Sequence, residues 1–227
     1  MAVARGAGGA LLSAPHEHYG SRMRRGLLVG AAVFAVAAPA ASAPPTISLQ
    51  TRAREVQGFD SFQVTGAVAS GRAGEDVTIE AKECGSYAPF HKIAGTQTGA
   101  AGTWVAQVGL LGNSDLRARW RGGISDPIAV RVHPYMTLTY KGPGRYFVWI
   151  RANDFFGGAR VVLERAAGSK WVTVKKFTLK REQSFGVASS TGTVRAKLKR
   201  GTILRAVLPK AQAGRCYLAG TTNTLTV

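Results

Sequence analysis

The chain has 227 residues, 30 lysines and arginines against 12 aspartates and glutamates, and a formal net charge of +18. Its 45% hydrophobic content is that of a globular protein, and the length accommodates two compact domains of about 90 residues each behind a short leader. Val, Thr, Gly and Arg dominate and Leu/Glu/Lys runs at a 3.6-residue period are missing, which excludes a mainly helical fold and favours an all-β one.

The charge is unevenly placed. Residues 44–133 contain nine basic and eight acidic residues, whereas residues 134–227 contain 17 and three. Such asymmetry points to a polyanionic partner for the second half. The competing reading is that the charge only keeps an exported domain soluble.

The leader is expected to be residues 1–43. Met23 reads as the true start, followed by Arg24-Arg25, an apolar run from Leu27 to Ala38, and the small residues Ala41-Ser42-Ala43 of a signal-peptide cleavage site. Cleavage after Ala43 would leave Pro44 first, so cleavage after Ala40 stays open. The run is shorter than the roughly 20 residues needed to span a bilayer. The expectation is therefore export, with no membrane span left after cleavage.

Residues 44–133 read as a first β-sandwich. Thr46 to Thr51 is an opening strand. Asp60 to Val68 and Asp76 to Lys82 alternate with a period of two, which marks strands buried on one side. Gly99 and Gly102 bracket a turn before Trp104–Val108. In Leu116–Trp120 the apolar residues point inward and Arg117, Arg119 and Arg121 outward. That arginine row reads as a solvated face shared with acids such as Asp115, Asp126 and Glu80.

Residues 134–227 repeat the pattern. Ala73-Gly74-Glu75-Asp76-Val77-Thr78-Ile79 matches Gly157-Gly158-Ala159-Arg160-Val161-Val162-Leu163, and Leu116-Arg117-Ala118 matches Leu204-Arg205-Ala206. The period of about 84 to 95 residues is that of a whole domain, not of a solenoid unit. Pro134 then lies in a short, stiff linker. With Gly-turn, alternating-strand and Trp motifs such as "AGEDVTIEAKECG", "GTWVAQV" and "FGGARVVLER", residues 46–227 resemble exported actinobacterial-type proteins with tandem immunoglobulin-like or fibronectin-like repeats. The resemblance implies two tandem β-sandwich domains in an envelope or extracellular setting. It brings no catalytic residues.

Aligning the halves places Tyr146, Val148 and Ile150 in the core. Arg145, Phe147, Trp149 and Arg151 then face outward, as aromatics between arginines suited to stacking on sugar rings and pairing with acidic groups. A slip of one residue would reverse every face. Arg195, Lys197 and Lys199 form a second outward stripe. Together these seven residues are the candidate ligand-binding set, for an anionic envelope polymer such as a polysaccharide or teichoic acid. No specific nucleic acid partner, cofactor or metal is expected.

Cys84 and Cys216 are the only cysteines, one per half. In an exported chain they form either one bridge between the halves or two separate thiols. No GxSxG, HExxH, GxGxxG or P-loop pattern occurs, so no enzymatic activity is expected. Two functions remain: an anion-binding module, or a structural spacer of the envelope.

Overall fold

The computed structural model describes residues 46–227 apart from Ser86, Ala88, Phe185 and Gly186. The expected leader, with Met23 and both cleavage sites, lies outside the described residues. The strands before Pro134 are β1 (Glu55–Gln57), β2 (Ser61–Ala67), β3 (Asp76–Glu83), β4 (His91–Gln97), β5 (Thr103–Gly109), β6 (Ser114–Trp120), β7 (Gly123–Ile124) and β8 (Ile128–His133). After it come β9 (Tyr135–Tyr140), β10 (Arg145–Ala152), β11 (Arg160–Ala167), β12 (Lys170–Thr178), β13 (Lys180–Ser184), β14 (Val187–Arg195), β15 (Ile203–Leu208), the helical turn α1 (Lys210–Ala213), β16 (Gly220–Thr221) and β17 (Leu225–Thr226).

Two sets of sheets result, and among the described residues no strand ladder crosses Pro134. In the first set, β1-β8-β6-β3-β4 faces the β2–β5 pair. The segment 46–51 runs beside β2 through two isolated bridges, Ile47–Val68 and Gln50–Thr65. The expected opening strand is thus a pair of bridges and not a continuous ladder. In the second set, β13-β14-β10-β9 faces β12-β11-β15-β16, with β17 also on β15. In chain order the second set is the immunoglobulin arrangement of strands A, B, E and D on one sheet and C, F and G on the other, with β12 added as a C′ strand beside C. The protein is all-β and immunoglobulin-like, and both sets belong to one compact unit.

The period-two pattern explains the packing. Val77, Ile79 and Ala81 of β3, Leu116 and Ala118 of β6, and Tyr146, Val148 and Ile150 of β10 are all buried. Trp104 fills the first core across a strand interior that carries no side chain: a Cβ on Gly66 would collide with the Trp104 ring and the Ser48 carbonyl.

On the outer side of β3, Glu80 is nearly buried and receives Nε of Arg117 at 2.7 Å and Nε of Arg119 at 2.9 Å. Arg121 pairs with Glu75 at 2.6 Å. The arginine row is neutralised by the expected Glu80 together with Glu75, and by neither Asp115 nor Asp126. Burial pushes the Glu80 carboxyl up, and the hydrogen bonds and charges of Arg119 and Arg117 outweigh it, so its pKa lies below its ordinary 4.5. A lowered folded value means that this stabilisation is complete above the unfolded value and lost as pH falls through the folded one. Glu80→Gln should cost roughly 2 kcal/mol, less than the ~3–5 of a fully buried pair, because Arg119 is 41% exposed. Denaturant melts across acid pH should also lose part of their acid limb in that variant.

Candidate functional site

The outward face of the β13-β14-β10-β9 sheet gathers most of the residues singled out in the sequence. The register sets Arg145 opposite Arg195, Phe147 opposite Thr193, Trp149 opposite Thr191, and Arg151 opposite Ser189. On the other side, β9 sets Thr139, Thr137 and Tyr135 against Phe147, Trp149 and Arg151. Tyr146, Val148 and Ile150 point into the core, so the strand phase read from the sequence holds and the one-residue slip does not occur. The rings of Phe147 and Trp149 are half-buried, and same-face neighbours on a strand stand roughly 7 Å apart. The result is a strip of two aromatic rings edged by threonines.

Charge is concentrated at both ends of the strip. At one end Arg145 and Arg195, both exposed, are direct cross-strand partners. Lys141 lies over Phe147, 5.4 Å from the ring centroid, and Lys175 donates to the Arg195 carbonyl at 3.3 Å. Like charges directly opposite each other destabilise a sheet, and among the described residues neither arginine has an ion-pair partner. At the other end Arg151 stands 5.2 Å from the Trp149 centroid and 4.5 Å from that of Phe59. On β13, Lys180 and the single carboxylate Glu182 lie in register with Thr191 and Ser189.

Lys197 and Lys199 are exposed but lie past the end of β14. The Ala196 N–H still donates to Gly144 at 2.9 Å, but β10 begins at Arg145, so there is no strand for the later residues to join. They extend the basic region and are not part of the ordered strip.

Phe59 is absent from the sequence-derived set. It belongs to the first half, in the turn between β1 and β2, and holds a φ of 72°. A bulky residue in the left-handed region costs on the order of 1 kcal/mol. The turn is fixed by Gly58 N–H donating to His133 at 2.8 Å, Phe59 N–H to Leu110 at 3.3 Å and Asp60 N–H to Gln57 at 3.1 Å. The ring meets Tyr135 edge-on at 6.2 Å.

A second concavity lies where the halves meet. Cys84 and Cys216 form a disulfide with Cα atoms 5.3 Å apart, which is the first of the two arrangements left open by the sequence. Disulfides form and persist in oxidising surroundings. Pro134 alone separates β8 from β9, so the expected short linker is a single buried residue. Asn113, buried and unforeseen, ties the join together. Its N–H donates to Cys216 at 3.0 Å, its Nδ2 to Arg215 at 3.2 Å, and its Oδ1 accepts from Val132 at 2.8 Å.

The adjoining cleft of about 440 Å³ is lined by the bridge with Glu83, Asn153, Asp154, Arg215 and Tyr217 among others. Burial pushes the Tyr217 phenol up to about 12; the Asn153 N–H donating to its oxygen pulls down, while the Asp154 and Glu83 carboxylates push up. Tyr217 is therefore a neutral packing group at ordinary pH, and both sulfurs are tied up in the bridge. Among the described residues, the cleft gathers no activated nucleophile.

No protein-family model matches the chain, and no curated protein sequence matches it. Among solved structures, a marsupial T cell receptor is similar at 10% identity over 71% of this chain and 93% of that chain, with a TM-score of 0.31.

Proposed function

We propose that this protein is a non-catalytic, exported binding module that holds an anionic polymer of the cell envelope on the β13-β14-β10-β9 face. The polymer is a polysaccharide, a teichoic acid or a chain of similar charge. The observation that carries this reading is the Arg145–Arg195 pair, two exposed like charges opposed across a strand pair without a carboxylate between them. An anionic ligand would relieve that repulsion. The first half supports the reading by contrast, since Arg117, Arg119 and Arg121 there each pair with a glutamate. In the second half the described residues contain one ion pair, Arg205–Glu164 at 2.8 Å.

The disulfide fits an oxidising, extracytoplasmic setting. No helix of the described residues is long and apolar enough to cross a membrane. A second reading, a structural spacer of the envelope, is favoured by the one-residue linker and the bridged join.

Binding of the full chain to isolated cell wall and to acidic polysaccharide separates the two. The binding module should be retained at about 50 mM salt and lose affinity at least several-fold by about 200 mM, as displacement of counterions requires. No retention at the lower concentration, or retention indifferent to salt, would leave the spacer reading standing.

A further inference from the structure

The strained backbone at Phe59 suggests a more specific occupant. Resting on the reading above, we infer that the platform is shared between the two halves, and that it takes a carboxylated polysaccharide whose acidic group docks on Arg151 between Trp149 and Phe59.

Gly58 stands immediately before Phe59, yet it is Phe59 that adopts the positive φ of 72°. Strain of this kind persists only where the surroundings enforce it, and it collects at functional positions. What it achieves here is a placement: a ring from the first half set 4.5 Å from a guanidinium of the second.

Rings lie near Arg151 at 4.5 and 5.2 Å. Among the described residues Arg151 has no ion pair and its side chain donates no hydrogen bond. Arginine stacked on aromatic faces keeps a planar fork of donors that matches a carboxylate with two parallel bonds.

The hydroxyls of Thr137, Thr139, Thr191 and Thr193 flank Phe147 and Trp149 and make no hydrogen bond to protein among the described residues. A sugar ring offers an apolar face to an aromatic ring and hydroxyls to its edges. A phosphate polymer without rings would use the arginines and leave the strip idle. The separation of Arg145 from Arg151 along β10 gives such a chain an acidic contact at each end of the strip.

Phe59→Gly gives a clean test, because glycine adopts this φ freely and the ring alone is lost. The full chain, Phe59→Gly and Phe59→Tyr are compared for binding to polygalacturonate, to polyphosphate and to a neutral glucan at low salt, with thermal melts alongside. The expected result is that Phe59→Gly stays folded and melts close to the parent, because relief of the backbone strain offsets part of the lost ring contacts with Tyr135 and Arg151. It should bind polygalacturonate at least five-fold more weakly and polyphosphate unchanged, with Phe59→Tyr behaving like the parent. Parental affinity for polygalacturonate in Phe59→Gly overturns the shared platform, as does an equal loss for both polymers. Preference of the parent for polyphosphate overturns the carboxylated ligand. A parent chain that binds neither polymer removes the anion-binding reading itself, and this inference with it.

Discussion

Removing the Cys84–Cys216 bridge, as the double variant Cys84→Ala/Cys216→Ala, is expected to lower stability by about 4 to 5 kcal/mol. The magnitude follows from the loop. The two cysteines are 132 residues apart, and the chain-entropy cost that a cross-link removes from the unfolded ensemble grows with the logarithm of that separation. The hydrogen bonds of Asn113 across the join cannot substitute for it, because they are absent from the unfolded chain. Equilibrium denaturation of parent and double variant in the same buffer measures the difference. A loss under about 1 kcal/mol would mean that the unfolded chain already holds these ends together by other means.

The second large effect concerns binding and should leave the fold intact. Arg145→Glu with Arg195→Glu turns two opposed positive charges into two opposed negative ones. The cross-strand repulsion stays, so stability should stay within about 0.5 kcal/mol of the parent. Affinity for an acidic polymer should fall by about two orders of magnitude, on the order of tenfold, or 1.4 kcal/mol, for each reversed charge. The single variant Arg145→Glu makes a sharper point about sign. It places unlike charges opposite each other and should stabilise the sheet by a few tenths of a kcal/mol while weakening binding. A gain in stability with a loss in affinity identifies a position kept for a ligand. Parental binding by the double variant would exclude the arginine pair from the site.

How much of this was legible in the sequence depends on the range of the interaction involved. Period-two alternation is local, so the all-β class, the inward set Tyr146, Val148 and Ile150, and the outward set from Arg145 to Arg151 could be read from neighbours along the chain. The repeated glycine-turn and strand phrases likewise located equivalent strands in the two halves. The same local rule overreached at Lys197 and Lys199. Alternation continues there in the sequence, but the partner strand has ended, and no pattern within one segment reports where its neighbour stops. Phe59 left no signal, because its importance lies in a turn conformation and in a contact with Arg151, which is 92 positions away. Asn113 is equally silent as one polar residue of the Gly112-Asn113-Ser114-Asp115 stretch. Its role exists only once residues 215–218 are laid beside it. Of the acids read beside the Arg117–Arg121 row, Glu80 does pair with it; Asp115 and Asp126 are close in sequence but do not, and Glu75, which takes Arg121, is close only in the fold.

The closed covalent loop also determines how the protein would respond to being pulled from its ends. With the bridge intact, the residues between Cys84 and Cys216 are bypassed by any tension and cannot be drawn out, which withholds roughly 450 Å of extended chain at about 3.4 Å per residue. The Arg145–Arg195 pair and the aromatic strip both lie inside that protected span, whereas the turn that presents Phe59 lies outside it. Stretching the chain would therefore peel Phe59 away from Arg151 first and leave the remaining platform mechanically shielded.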